Sequence, residues 1–302
     1  MSDNSYIPDK FPSPLRYPGG KSILSNFLFE ILELNGIDGT YCEGYAGGAG
    51  AALNLLYKDR VDRVILNDAD IHIYSFWNSV LKNNSKFIEM LQNCKINIEE
   101  WLRQKTIYEN PINFSELEIG FSTFFLNRSN RGGILPNAGP TGGIQQIGKY
   151  KIDARFNVKN LIPRIKKIGD YQERIEFYNL DALDFIDSIV GSIDLNNSLF
   201  YLDPPYYNQG KNLYLNHYKN EDHSRLSDRM QELMNYNWLV SYDNTEEIRI
   251  LYENFPNCKF DINYSVQSKR KGKEIIFFSP NLLLPNTLRI KNRQYEIQCL
   301  IK

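Results

Sequence analysis

The amino-acid sequence predicts an α/β protein in which parallel strands alternate with helices and one long insertion interrupts the alternation. Short apolar runs end in acidic residues, at Asp68, Asp181 and Asp203, as expected of buried strands at the carboxyl edge of an open sheet. A glycine-rich turn at 44–50 separates the first strand from a helix of small residues. Residues 71–174 interrupt this pattern with helical spacing followed by loop character.

The composition is that of an ordinary globular protein. The 302 residues are 42% hydrophobic and 24% charged, with a net charge of −1, and a chain of this length buries a large core without disulfides. Four cysteines without a CxxC pair and three widely spaced histidines predict neither a zinc site nor a disulfide framework. Because the sequence shows no signal peptide and no membrane-length apolar stretch, we expect a cytoplasmic protein with no metal and no membrane partner.

The first chemical motif is Tyr-Pro-Gly-Gly-Lys at 17–21, a tight turn that leads into a predicted helix. Ile23, Phe27 and Ile31 lie on one face of that helix. Backbone amides at a helix start, next to a lysine, suit an anionic group. The motif lacks the leading glycine of a phosphate loop, since position 15 is Leu, which disfavours a nucleoside triphosphate site. An ordinary turn before a helix is the alternative.

The glycine turn follows a short strand at 39–43 and precedes a second strand at 64–68. This succession lets a cofactor approach the backbone closely, at glycines such as Gly47. At the end of the second strand, Asp68 can accept hydrogen bonds from ribose hydroxyls, and a helix cap is its alternative role. Asp181, after the third strand, can accept a hydrogen bond from an adenine amino group.

The stretch 198–207, Ser-Leu-Phe-Tyr-Leu-Asp-Pro-Pro-Tyr-Tyr, predicts a buried strand that stops at an acid. The two prolines cannot continue a central strand because they lack the N–H that a ladder needs. The Asp203 carboxylate and the backbone carbonyl of Pro204 are acceptors that can hold both protons of an exocyclic amino group. Tyr206 offers a flat ring for a base taken out of the duplex, and Tyr207 is expected in core or lid packing. A strand-terminating turn is the alternative.

Residues 128–174 carry ten basic against three acidic side chains. Such a local excess is the footprint expected for contacts to nucleic-acid phosphates, and a solvated basic face is the alternative. We expect loops and a hairpin between 127 and 155. A second basic turn, at 268–273, is expected at the tip of another hairpin, and residues 208–222 are expected to include a mobile lid. The DNA-facing candidates are Arg128, Arg131, Lys149 and Lys151.

These motifs together resemble the DNA adenine-N6 methyltransferase family of the Dam-like, D12 class. The family's aromatic-x-Gly-Gly-Lys motif is matched at 17–21, and its Glu-Pro-Phe-x-Gly-x-Gly motif at 43–50. Its acidic second-strand end is matched by Asp68, and its Asp-Pro-Pro-Tyr motif by 203–206. The motifs also stand in the family's order.

Two departures from the family pattern are visible. Gly44 replaces the usual proline, and the glycine-rich stretch 127–148 does not match the target-reading segment of the GATC methylases. The DNA sequence that is recognised is therefore left open.

The resemblance implies a Rossmann-like sheet that binds S-adenosyl-L-methionine, formed by residues 1–70 and 175–302, with 71–174 inserted as a helical and hairpin target-recognition domain. It implies site-specific methyl transfer to N6 of a flipped-out adenine in double-stranded DNA, in an orphan or phage enzyme or beside a companion restriction endonuclease. The implied cofactor contacts are Tyr17, Lys21, Gly47, Asp68, Asp181 and Asp203. The implied catalytic residues are Asp203, Pro204 and Tyr206.

Other functions remain open at this point. Asp-Pro-Pro-Tyr loops also serve methylation of other planar amino groups, such as cytosine N4 or RNA adenine. From a different class, a non-catalytic DNA-binding subunit with a relic methyltransferase fold is an alternative. The basic insertion and the Gly-Gly-Lys motif favour DNA adenine.

Overall fold

The computed structural model of the protein describes residues 9, 12–17, 21–135, 137–207, 218–264, 270–290 and 293–298. Its strands are β1 (Thr40–Glu43), β2 (Arg63–Asn67), β3 (Ile175–Tyr178), β4 (Ser198–Leu202), β5 (Trp238–Asp243), β6 (Asn257–Tyr264), β7 (Arg270–Phe278), β8 (Thr287–Ile290) and β9 (Arg293–Gln298). Within these described ranges the strands form one sheet in the order β3-β2-β1-β4-β5-β7-β6-β9-β8.

Helices cover both faces of the sheet. They are α1 (Ser25–Asn35), α2 (Gly50–Tyr57), α3 (Ile71–Lys82), α4 (Asn84–Asn93), α5 (Ile98–Glu109), α6 (Glu116–Ser129), α7 (Val158–Asp170), α8 (Ala182–Val190), α9 (Asn220–Glu232) and α10 (Glu246–Leu251). Short 3-10 helices are Lys21–Leu24, Pro111–Asn113, Arg131–Gly133, Gln172–Arg174 and Leu195–Asn197. Among the helices of the described part, none has the length and apolar character needed to cross a bilayer.

The parallel half of the sheet confirms the predicted α/β class with a Rossmann-like sheet. β1 pairs in parallel with β2 on one side and with β4 on the other. The chain therefore leaves β1 in one direction and returns on its other side, which is the topological switch point where open α/β sheets bind ligands. Glu43 and Tyr201 are paired at the carboxyl ends of these two strands. The residues that follow them lie side by side at that edge.

The core occupies both faces of the sheet. All five residues of β4 are buried, which confirms the strand predicted before Asp203. Successive side chains of a strand point to opposite faces, and in β4 Leu199 and Tyr201 join one apolar cluster while Phe200 and Leu202 join the other. Burial on both faces explains why residues 199–202 are a continuous apolar run without alternation.

The second half of the sheet is antiparallel. β7 lies between β5 and β6 and is antiparallel to both, with Asp243 opposite Glu274. The pairing of β6 with β7 confirms the predicted hairpin, but residues 270–273, expected in the basic turn, belong to strand β7. The tip of the hairpin, 265–269, lies outside the described residues. Residues 208–217, which include most of the expected lid, also lie outside them.

The inserted segment is mainly helical, from α3 to α7. α6 is buried on nearly all sides and packs on α3 and α5. At Gly120 a Cβ atom would lie 2.3 Å from the Ser75 carbonyl oxygen, so only glycine allows this close approach. A capping box between Ser115 and Glu118 begins α6. The domain boundaries at 70/71 and 174/175 stay a prediction.

The structure differs from two expectations for 127–155. Helix α6 continues to Ser129, so the chain leaves the helix later than the composition indicated. The expected hairpin with Lys149 and Lys151 is replaced by consecutive turns. The positive φ of Gln146, 52°, and its side-chain hydrogen bonds to the carbonyls of Thr141 and Gly143 fold this stretch back on itself.

Candidate functional site: the carboxyl edge of the parallel sheet

The glycine turn is fixed from three directions at Gly47. Its N–H donates to Asp68 Oδ2 at 2.9 Å, and its carbonyl accepts from Trp77 Nε1 at 2.8 Å. Its φ is +45°, and a Cβ atom at this position would lie 2.6 Å from the ring of Tyr17. The structure thus brings together Tyr17, Gly47 and Asp68, three of the predicted cofactor contacts.

Asp68 is a half-buried carboxylate with two backbone donors. Besides Gly47, the N–H of Asp70 donates to its Oδ1 at 3.0 Å. Burial, and next the charge of Asp70, raise the pKa of the Asp68 carboxyl to about 7, against the two backbone hydrogen bonds that lower it. A group with this pKa is an acceptor whose charge is set by small changes around it, such as a bound ligand.

Beside this turn is a cavity of about 170 Å³. It is lined by Gly44, Tyr45, Asn67, Ala69, Asp181, Ala182, Tyr218 and Asp222. Asp181 is exposed, and its Oδ1 caps α8 by accepting from the N–H of Leu183 at 3.0 Å. The rings of Tyr45 and Tyr218 meet edge to face and are joined through their hydroxyls. The cavity therefore combines aromatic walls with carboxylates, as a site for a flat polar ring requires.

Asp203 directly follows β4 and is held by two donors. Lys21 Nζ lies 3.1 Å from its Oδ1, and Ser241 Oγ donates to the same oxygen at 2.5 Å. Ser241 is in turn hydrogen-bonded to the Tyr201 hydroxyl at 2.9 Å. Burial is the largest effect on Asp203 and raises its pKa, whereas Lys21 and Ser241 oppose that effect. The ammonium thus favours the ionised carboxylate in a site that disfavours charge.

The loop after Asp203 is tied to β7. Pro204 is buried, and so is Tyr206, which is 8% exposed. The Tyr206 hydroxyl donates to Glu274 Oε1 at 2.5 Å, and Lys21 Nζ lies 5.4 Å from the centroid of its ring. Tyr207 packs beside His223, with ring centroids 5.3 Å apart, and its N–H donates to Asp243. The predicted residues Lys21, Asp203 and Tyr206 therefore form one cluster.

A third carboxyl, Glu43, lies at the end of β1 and is buried. Its Oε1 accepts from the Tyr41 hydroxyl at 3.0 Å and from the Ala52 N–H at 3.3 Å. Burial raises its pKa to about 8, with a smaller contribution in the same direction from Asp203. Glu43 is therefore largely protonated at neutral pH.

The predicted DNA-facing residues divide into two groups. Arg131, Lys149 and Lys151 are exposed, on the 3-10 helix after α6 and on the turns that follow it. Arg128 is half-buried, and its guanidinium donates to the carbonyls of Pro14 and Arg155. Burial, followed by repulsion from Arg16, Arg164 and Arg155, lowers the pKa of Arg128 to about 9. Two of the guanidinium nitrogens of Arg128 therefore contact the protein's own backbone.

Sequence reasoning missed Glu274 and Ser241, which both contact the predicted cluster. Ser241 is a buried polar residue within the apolar run 238–242, which is a usable signal because a polar group is seldom buried without a partner. Glu274 is also buried, but it directly follows basic residues of β7, so its sequence context gives no such signal. In the described part of the chain, no group of three or more His, Cys, Asp or Glu side chains is arranged to hold a metal ion.

Among solved structures, one that is similar to this chain is the rRNA methyltransferase aviRa from Streptomyces viridochromogenes, with 10% sequence identity. The match covers 91% of this chain and 96% of that chain, with a TM-score of 0.32. No curated protein matches the chain. The model of the D12 class N6 adenine-specific DNA methyltransferases, by contrast, matches residues 17–270, which contain the glycine turn, Asp68 and the Asp203 loop. The chain belongs to this family of enzymes, and its activity is N6-adenine methylation of DNA.

Proposed function

We propose that the chain transfers a methyl group from S-adenosyl-L-methionine to N6 of an adenine that has been rotated out of duplex DNA. The observation that carries the proposal is the position of Asp203. It stands at the end of β4, at the switch point of the sheet, and is held by Lys21 and Ser241. A half-buried acceptor with fixed orientation is what recognition of an amino group requires.

The residues at the glycine turn fit the cofactor. Gly47 leaves an open backbone in a conformation that side chains rarely adopt, next to Tyr17. Asp68 is the proposed acceptor for ribose hydroxyls, and Asp181, exposed in the cavity wall, for the adenine amino group. Lys21 and Asp203 complete the proposed set on the side of the reacting groups. When bound, S-adenosyl-L-methionine supplies a methyl group on a positively charged sulfur.

The Asp203 loop would grip the target amino group. Both donors described above reach Oδ1 of Asp203, so we assign Oδ2 and the carbonyl of Pro204 as acceptors for the two amino protons. Such hydrogen bonds orient the amino group and increase its electron density. Tyr206 supplies the ring for stacking, and its hydroxyl bond to Glu274 fixes the orientation of that ring. Gripping and stacking are the two demands of an enzyme that acts on an extruded base.

Arg131, Lys149 and Lys151 are the proposed contacts to the DNA phosphates, because they are exposed on the basic insertion. Arg128 is assigned a supporting role beside them. The proposed compartment is the cytoplasm. A restriction endonuclease that cuts the unmethylated site is the proposed companion protein, with an orphan or phage enzyme as the other setting.

The test is methyl transfer by Asp203→Ala, measured with tritiated S-adenosyl-L-methionine on plasmid DNA. We expect loss of transfer with an unchanged circular-dichroism spectrum, and Asp184→Ala, at an exposed position on α8, is the matched control. Retained transfer by Asp203→Ala would refute the assignment.

The acceptor is identified by digesting the product and separating the nucleosides. N6-methyladenine from DNA is expected, whereas N4-methylcytosine, or label in RNA only, would contradict the proposal. If the chain neither methylates DNA nor binds S-adenosyl-L-methionine in a calorimetric titration, the proposal is replaced by the alternative of a non-catalytic DNA-binding subunit with a relic methyltransferase fold.

A further inference from the structure

We infer that Glu274 is a positioning residue of the methyl-transfer site, which acts by holding Lys21 and Tyr206 in place beside Asp203. This inference rests on the proposed function. It adds a residue from the antiparallel part of the sheet, far in sequence from Lys21 and Asp203.

Glu274 is almost fully buried, with 1% of its surface exposed. It lies on β7, opposite Asp243 of β5. Strand β5 pairs in turn with β4, whose end carries Asp203. A buried carboxylate is costly unless charged or polar partners compensate it. The partners of Glu274 therefore indicate why the residue is placed there.

Two donors meet at one oxygen of Glu274. Its Oε1 lies 2.5 Å from the Tyr206 hydroxyl and 3.5 Å from Lys21 Nζ, and these two donors are themselves 3.3 Å apart. Lys21 also reaches Oδ1 of Asp203 at 3.1 Å. The ammonium is thus shared by two carboxylates, one at the reacting centre and one on β7.

A purely structural role, joining β7 to the rest of the fold, is the competing explanation. Buried ion pairs often contribute little net stability, because desolvation offsets the attraction between the charges. Lys21 and Tyr206, two groups that Glu274 contacts, both adjoin Asp203, and Tyr206 lies in the same loop. Without the acceptor at 274, the ammonium loses one of the two carboxylates that share it and the Tyr206 hydroxyl loses its bond to β7. A resulting misplacement by about 1 Å costs catalysis up to about 100-fold.

Electrostatics separates the two explanations. The groups that act on Asp203 are Lys21 and Ser241, which lower its pKa, and Glu274, whose negative charge raises it. Tyr201 and Glu43 also interact electrostatically with Asp203. Replacing Glu274 by the neutral, isosteric glutamine therefore lowers the pKa of Asp203. A residue that only stabilises the fold has no effect of this kind on the reacting carboxylate.

The experiment compares Glu274→Gln with the wild type in kcat, in KM for S-adenosyl-L-methionine and in the pH profile. We expect kcat to fall by about 10- to 100-fold, with KM for the cofactor within about twofold. We also expect the acidic limb of kcat against pH to move to lower pH. Glu253→Gln, the same substitution at an exposed position, is the matched control and should behave as wild type.

The inference is overturned if Glu274→Gln has wild-type kcat. It is also overturned if activity falls only in proportion to the folded fraction, with the acidic limb unmoved. Should Glu274→Gln fail to fold, Tyr206→Phe is the second variant, because it removes the hydroxyl that donates to Glu274 and keeps the ring. A wild-type kcat for Tyr206→Phe would also overturn the inference. Inactive Asp203→Ala beside fully active Glu274→Gln would refute this inference alone, whereas active Asp203→Ala would refute the proposed function.

Discussion

The ammonium of Lys21 lies 3.1 Å from the carboxylate of Asp203, and this ion pair joins the start of the first helical segment to the end of β4. The Lys21 side chain is 6% exposed and that of Asp203 21%. Because water screens such a pair only weakly, the attraction acts strongly on the protonation of Asp203. The pair connects the Gly-Gly-Lys motif at 17–21 to the Asp-Pro-Pro-Tyr motif at 203–206.

Lys21→Met tests this pair while keeping a side chain of similar length. Burial and the charge of Glu274 raise the pKa of Asp203, and Lys21 lowers it. Without the cation, the pKa of Asp203 therefore rises further. We expect methyl transfer at neutral pH to fall by at least tenfold and the acidic limb of the pH profile to move to higher pH. This is opposite to the direction expected for Glu274→Gln. An unmoved limb would contradict the electrostatic role, and Lys58→Met at an exposed site is the control.

Asp181→Asn tests the cavity as the site for the adenine of the cofactor. Asparagine caps helices as well as aspartate does, so α8 should persist. The amide retains one acceptor but loses the charge, and we expect a roughly tenfold weaker Kd for S-adenosyl-L-methionine, the size of one charged hydrogen bond. Isothermal titration calorimetry measures it. Asp184→Asn, on the same helix, should leave Kd unchanged, and an unaltered Kd for Asp181→Asn would exclude the assigned contact.

Arg131→Ala tests the exposed basic side chains as the DNA face. Removing one phosphate contact should weaken binding to duplex DNA and reduce the slope of log K against log salt by about one. Because Arg131 is exposed, its loss should leave the free energy of unfolding unchanged. Fluorescence anisotropy over a salt series measures the slope. Arg103→Ala, which removes the same charge from the exposed side of α5, is the control, and equal slopes for both variants would disprove the assignment.

Glu43→Gln tests the consequence of burying a carboxyl at the end of β1. The pKa of Glu43 is raised to about 8 from an ordinary value of 4.5. The folded state therefore holds a proton that the unfolded state loses above pH 4.5. Its contribution to stability is fully present below pH 4.5 and is lost as the pH rises through 8.

Urea unfolding at pH 5, 6.5 and 8 should show a steeper fall in the free energy of unfolding for the wild type than for Glu43→Gln. Glutamine stays neutral throughout and keeps an acceptor for the Tyr41 hydroxyl and the Ala52 N–H. Glu33→Gln, at an exposed site on α1, should follow the wild type. Parallel curves for wild type and Glu43→Gln would show that Glu43 is ionised in the folded protein.

The parts of the site that the sequence predicted are those encoded by local patterns. A few consecutive residues are enough to predict the apolar strand that ends at Asp203, and likewise the glycine turn before α2. Glu274 is different, because its contact with Lys21 spans 253 positions and depends on the antiparallel placement of β7. No local pattern specifies that register.

The direction in which a side chain points is the second feature that could not be predicted from the sequence. Arg128 and Arg131 look alike in a count of charges, yet the first donates to backbone carbonyls and the second is exposed. The turns around Gln146 took the place of a hairpin because one side chain bonds two nearby carbonyls. Glycine-rich composition predicts that a chain turns, but it does not specify how the turns close.

The placement of β7 between β5 and β6 also has a consequence during synthesis on the ribosome. β7 is almost the last part of the sheet to leave the exit tunnel, yet it carries the carboxylate that contacts Lys21 and Tyr206. A nascent chain that already contains the glycine turn and the Asp203 loop still lacks this partner. Assembly of the site therefore waits until β7 has been synthesised, and premature termination before residue 274 yields a fragment without this contact.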